Sequence, residues 1–137
     1  MPTEDVLYKK YGVTVSGFCR AVIDSLSGDL SRSERADYLA YLGMIAHVVE
    51  LQFAFEDSGV AYFVAARALV PDHTMACIYL IRTYRELPDG HDDLELARDC
   101  YRILKRKQSS FASVEAQVFD SVLSYAEHNG VRLADLE

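Results

Sequence analysis

The stretch from Gly59 to Pro71 reads Gly-Val-Ala-Tyr-Phe-Val-Ala-Ala-Arg-Ala-Leu-Val-Pro. Val60, Phe63, Val64, Arg67 and Leu69 alternate there with four alanines, Ala61, Ala65, Ala66 and Ala68. Alanine is the strongest helix former and lets neighbouring backbones come close. The spacing predicts a helix over 58–70, ended by Pro71-Asp72, because proline within a helix costs about 3 kcal/mol.

The same periodicity extends in both directions. Apolar residues recur three and four apart almost everywhere, and period-2 alternation is absent, which predicts helices and no sheet. Upstream, Ser31 and Glu34 have the spacing of a capping box, Ser31 being the N-cap. A helix is expected from there to about Ala54, sending Tyr38, Leu39, Leu42, Ile45, Ala46, Val49 and Phe53 to a core. Before it, Val15, Phe18, Cys19, Val22, Ile23 and Leu26 predict a leading helix over 14–26, closed at Gly28.

Downstream, Asp72 is the expected N-cap of a helix over 73–87 with Ala76, Cys77, Leu80, Ile81 and Tyr84 inward. Leu87-Pro88-Asp89-Gly90-His91 marks a turn. A helix from near Asp92 to Lys107 follows, carrying Leu94, Leu96, Ala97, Cys100, Tyr101 and Leu104 inward. Its acidic start and basic end match the helix dipole. A last helix over 110–128 closes at Asn129-Gly130. The fold class expected is all-α: five to six antiparallel helices in one domain over 1–137.

Two helical pairs within this plan have repeat-like spacing. Gly59, Phe63, Ala66, Leu69 and Pro71 resemble the second helix of a tetratricopeptide repeat (TPR), and Leu42, Ile45, Ala46 and Val49 resemble its first. Leu80 and Tyr84, then Ala97 and Tyr101, form a looser copy. It departs from the family in three places: Ile81 stands where a small residue belongs, the turn around Pro88 to Asp92 is longer, and Leu104 replaces the second alanine with no proline after Lys107. The segment 112–125 resembles a third first helix that caps the array. The resemblance spans about Tyr38 to Tyr125 and implies a TPR-like right-handed array of helical hairpins.

In that family the first helices line a concave groove that holds a peptide or helix of another protein. Carried over, the groove positions are Met75, Ile78, Arg82 and Arg85 on the 73–87 helix. On the helix before, they are Gly43, His47 and Glu50. Methionine adapts its shape and arginine grips carboxylates bidentately, so the set suits an amphipathic partner. Small acidic helical chaperones of type III secretion are similar in overall plan. The function implied is a non-catalytic protein-interaction module or small chaperone. A homodimer through the same apolar surface is the competing occupant. The alternative function is a helical regulatory or immunity-type subunit with a flat binding face.

Composition narrows the other classes. The 137 residues carry 14 Lys and Arg against 21 Asp and Glu, a formal net charge of −7. That balance does not predict a nucleic-acid partner, which needs a dense basic surface. Five cations cluster on one helix, Arg98, Arg102, Lys105, Arg106 and Lys107, where they suit a solvated C-terminal end. No apolar run reaches membrane-spanning length. Three cysteines at long spacings, Cys19, Cys77 and Cys100, read as buried thiols of a reduced, cytoplasmic protein. His91-Asp92-Asp93 is the tightest group of metal-competent side chains, yet its place at a helix start predicts capping. No nucleophile elbow or phosphate-cradling loop occurs, so no catalytic residue, metal or cofactor is expected.

Overall fold

The computed structural model describes residues 30–48, 59–86 and 90–137. The predicted leading helix over 14–26 and the end of the next helix beyond Val48 lie outside them. Five α-helices occur among the described residues: α1 (Arg32–Val48), α2 (Gly59–Leu69), α3 (Thr74–Arg82), α4 (Leu94–Lys107) and α5 (Ser113–His128). Two 3-10 turns, Gln108–Ser110 and Leu133–Leu136, complete the list, and no strand occurs there. The all-α expectation holds for these residues. No helix among them is long and apolar enough to cross a membrane. The chain divides into two compact units, Met1–Val70 and Pro71–Glu137.

In the first unit, α1 opens on the predicted capping box. The Glu34 amide donates to Ser31 Oγ at 3.1 Å, and the Ser31 amide donates to Glu34 Oε1 at 3.1 Å. Two orphan donors of the first turn are thereby satisfied. The inward face of α1 matches the expected one at Leu42 and departs from it at Tyr38. Ala36, Ala40, Leu42 and Gly43 are buried, whereas Tyr38 is 47% exposed and Tyr41 59%. The cause is on α2. A Cβ placed on Gly43 would stand 2.7 Å from Cε1 of Phe63, and one on Gly59 would stand 2.8 Å from the Gly43 carbonyl oxygen. The small residues Ala36, Ala40 and Gly43 therefore turn to α2 so that the backbones can meet, and the tyrosines rotate outward.

Residue 43 lies against 63 and residue 47 against 59, so α1 and α2 run antiparallel. Arg32 Nε donates to the Leu69 carbonyl at 2.7 Å and ties the start of α1 to the end of α2. Phe63 of α2 thus fills the gap that Gly43 leaves on α1.

In the second unit, α3 packs against both α4 and α5. Ala76, Cys77, Leu80 and Ile81 of α3, Ala97, Cys100, Ile103 and Leu104 of α4, and Phe119 and Val122 of α5 form the core. Cys77 and Cys100 are both buried, as expected. The N-cap of α3 is His73, not Asp72: its Nδ1 accepts the Ala76 amide at 3.2 Å. Asp72 instead offers its carbonyl to Lys107 Nζ at 2.7 Å, joining the start of α3 to the end of α4.

The helix expected over 73–87 also stops five residues early, at Arg82. A clip ends it. The Arg85 amide donates to the His91 carbonyl, and the His91 amide to the Thr83 carbonyl at 3.1 Å, forming an isolated parallel bridge. Arg85 takes φ 62°, a left-handed conformation uncommon for a side-chain-bearing residue. Gly90 is required here: a Cβ on it would sit 2.1 Å from the Thr83 carbonyl oxygen.

Asp93 caps α4 by accepting the Leu96 amide at 3.1 Å. α5 ends in a Schellman motif. The Val131 amide donates to the Ala126 carbonyl at 2.9 Å and the Gly130 amide to that of Glu127 at 3.0 Å, with Gly130 at φ 89°.

Burial raises the Tyr101 phenol above its ordinary value of 10.0, and the carboxylates of Glu137 and Glu127 push it the same way. The unfolded chain then loses this proton first as pH rises, so folding loses stability above pH 10 and gains nothing from the group below it. Urea midpoints followed by circular dichroism should fall between pH 10 and 11, and fall less in Tyr101→Phe. A variant with the same alkaline slope as the parent would show that other groups cause the loss.

Candidate functional site

The accessible face of α3 carries Met75, Tyr79 and Arg82, spaced four and three apart and all half-buried. Tyr79 and Arg82 line an open groove of about 450 Å³ between α3 and α5. From α5 come Gln117, Val118, Ser121, Val122 and Tyr125. Arg82, the last residue of α3, stacks on Tyr125 near the end of α5, while the start of α3 is tied at Asp72 to Lys107, just before α5 opens, so α3 and α5 run in the same direction along the groove. Val114, 67% exposed, continues the α5 stripe one turn beyond Val118.

One end of the groove is a polar lock. The Arg82 guanidinium lies over the Tyr125 ring, 3.4 Å from its centroid. Arg82 Nη1 pairs with Glu86 Oε2, and the Tyr125 hydroxyl donates to the same oxygen at 2.9 Å. The ring face supports the cation while the ring's hydroxyl holds the cation's counter-ion. Each contact fixes the geometry of the next.

Of the expected groove residues, Met75 and Arg82 share this face. Ile78 does not: it is fully enclosed, because a helix packed on two neighbours buries a wider arc than a simple hairpin helix. Arg85 also leaves the set. It lies beyond the end of α3 at positive φ, exposed and off the helical face. In the first unit, Gly43 and His47 face α2: Gly43 lies under the Phe63 ring, and a Cβ on Gly59 would come within 3.0 Å of the His47 Cβ. Glu50 lies outside the described residues.

Tyr79, Val118, Ser121 and Tyr125 were not singled out in the sequence. Three of them lie on the stripe Val114-Val118-Ser121-Tyr125, which has helical spacing. Its meaning depends on α5 lying beside α3, a relation that local spacing does not carry.

His91 is occupied at both ring nitrogens. Nε2 stands 2.6 Å from the Leu80 carbonyl, and Nδ1 accepts the Asp93 amide at 3.1 Å. A carbonyl only accepts and an amide only donates, so the proton is on Nε2. The ring therefore joins the end of α3 to the entry of α4, with Asp93 serving as cap. Among the described residues, no three His, Cys, Asp or Glu stand close enough to hold a metal ion.

The basic cluster of α4 divides. Arg98 donates to the Asp135 carbonyl at 2.7 Å and pairs with Glu95 at 3.2 Å. Lys107 is held by Asp72. Arg102, Lys105 and Arg106 are exposed at the C-terminal end of the helix, where cations favour the dipole. No family model, no curated protein and no solved structure matches the chain.

Proposed function

We propose that the chain is a non-catalytic protein-interaction module of TPR-like plan, which holds a peptide or helix of a partner protein between α3 and α5. The single observation that carries this reading is the groove between two parallel helices, α3 and α5, which the repeat-like spacing marks as first helices of successive hairpins. First helices line the binding surface in the resembled family. Tyrosine and arginine, the residue types enriched where proteins meet, supply much of its lining. Its openness suits a side-chain-bearing segment more than an enclosed small molecule.

A photo-crosslinking amino acid placed at Ser121, inside the groove, tests the reading against one placed at Arg132, outside it. In lysate of the native host, the Ser121 probe is expected to form discrete adducts with one or few proteins, and the Arg132 probe none. Equal labelling from both positions, or none from Ser121, would remove the groove as the binding surface.

A further inference from the structure

Glu86 supplies the carboxylate of the polar lock, and it comes from the clipped segment after α3 rather than from either groove helix. Among the described residues, the groove lining proper contains no carboxylate: its polar groups are the Arg82 guanidinium, the Gln117 amide, and the hydroxyls of Ser121, Tyr79 and Tyr125. Among the described residues, the one carboxylate bonded to Arg82 is that of Glu86, through Nη1. The segment that delivers it includes Arg85 at φ 62° and is tied down by His91. A strained turn thus holds an acid against a cation at the end of a groove otherwise furnished with uncharged polar groups and apolar surface.

Resting on the interaction reading above, we propose that Glu86 is an internal stand-in for a side-chain carboxylate of the partner. The occupant is a segment carrying Asp or Glu next to an aliphatic or aromatic residue. The apolar residue lies along Val118, Val122 and Tyr79. The partner's carboxylate takes the place of Glu86 on Arg82, whose planar fork is already oriented by the Tyr125 ring. Glu86 competes for that place from within the same chain. The groove therefore discriminates against basic and neutral segments, because displacing Glu86 without supplying a carboxylate strands the guanidinium.

The test uses a random twelve-residue peptide library displayed with its C-terminus fused, so that added carboxylates come only from side chains. Selection on the full chain is expected to enrich peptides with Asp or Glu beside an apolar residue. Arg82→Gln should lose that acidic preference. Glu86→Gln keeps an acceptor for the Tyr125 hydroxyl but removes the competing charge, and should bind a selected acidic peptide about five- to tenfold more tightly by fluorescence anisotropy. Equal or weaker binding by Glu86→Gln, with unchanged circular dichroism, overturns the proposal, since Glu86 then orients Arg82 rather than competing for it. Enrichment without acidic preference also overturns it while leaving the interaction reading in place. Failure of the parent chain to enrich any sequence over a Ser121→Trp variant, in which the groove is filled, removes both.

Discussion

Replacing Phe63 with alanine is expected to lower the stability of the first unit by about 3–5 kcal/mol, the usual cost of removing a fully enclosed aromatic side chain. The ring is completely buried and rests on Gly43, with three of its carbons within 3.0 Å of where a Cβ on that glycine would stand. The contact works from both sides. Gly43→Ala drives a methyl into a ring that has no room to swing away, at a cost of about 1–3 kcal/mol, from which a helix-propensity gain of up to about 1 kcal/mol must be subtracted. The pair should therefore couple strongly. In a Phe63→Ala background the obstacle is gone, and Gly43→Ala should become neutral or slightly stabilising. Urea unfolding of the four proteins, with hydrogen exchange to assign the loss to α1 and α2, measures the cycle. Additive effects would mean that ring and glycine do not touch in solution.

How far residues alone revealed this fold depends on the range of the contacts involved. The Ser31–Glu34 box and the Asn129-Gly130 stop were legible because each closes within a few residues. The helix at 59–69 was legible because four alanines and a terminating proline act locally. The inward face of α1 was not. Tyr38 has more apolar surface than Ala36 or Ala40, and burial by size alone favours it. The decision was taken by α2, whose Phe63 requires the gap that Gly43 provides, and Ala36 and Ala40 lie on the same face of α1 as Gly43. Core positions of α3 were mostly legible, but Ile78 was assigned to a groove because its burial depends on a second packing neighbour.

The candidate site divides in the same way. Arg82 is recognisable from the sequence as a candidate on the outer face of its helix, and Glu86 is its i+4 neighbour, a pairing that helical spacing alone suggests. Tyr125, which completes the lock, is 39 residues away from Glu86. Arg85 looked equivalent to Arg82 while the helix was expected to continue through it. The interruption at Thr83 comes from His91, whose ring reaches the Leu80 carbonyl across eleven residues of sequence. The helical periodicity that would carry α3 through 83–86 was overruled by a backbone pairing with His91, which stands eight residues after Thr83.

That pairing leads to the second large effect. Gly90→Ala is expected to cost more than about 3 kcal/mol, at the upper end of what an added methyl does in a packed site. The new Cβ would stand 2.1 Å from the Thr83 carbonyl oxygen and 2.6 Å from that of Glu86. Both obstacles are backbone, and both oxygens are engaged: Thr83 accepts the His91 amide, and Glu86 accepts the Gly90 amide at 2.7 Å. No rotamer change relieves such a clash, so the clip must open. Gly130→Ala is the fitting control. Gly130 has positive φ but nothing within 4 Å of its would-be Cβ, so only the conformational penalty of about 1 kcal/mol applies. The two alanine variants thus separate crowding from backbone preference. Opening the clip has a further consequence at the groove, because Glu86 is held on Arg82 and Tyr125 by the same turn. In Gly90→Ala, amides at the C-terminal end of α3 should exchange faster, and the Tyr125 ring resonances should move with them. A Gly90→Ala protein as stable as its parent, with unchanged Tyr125 signals, would show that the turn between α3 and α4 does not close on Glu86 in solution.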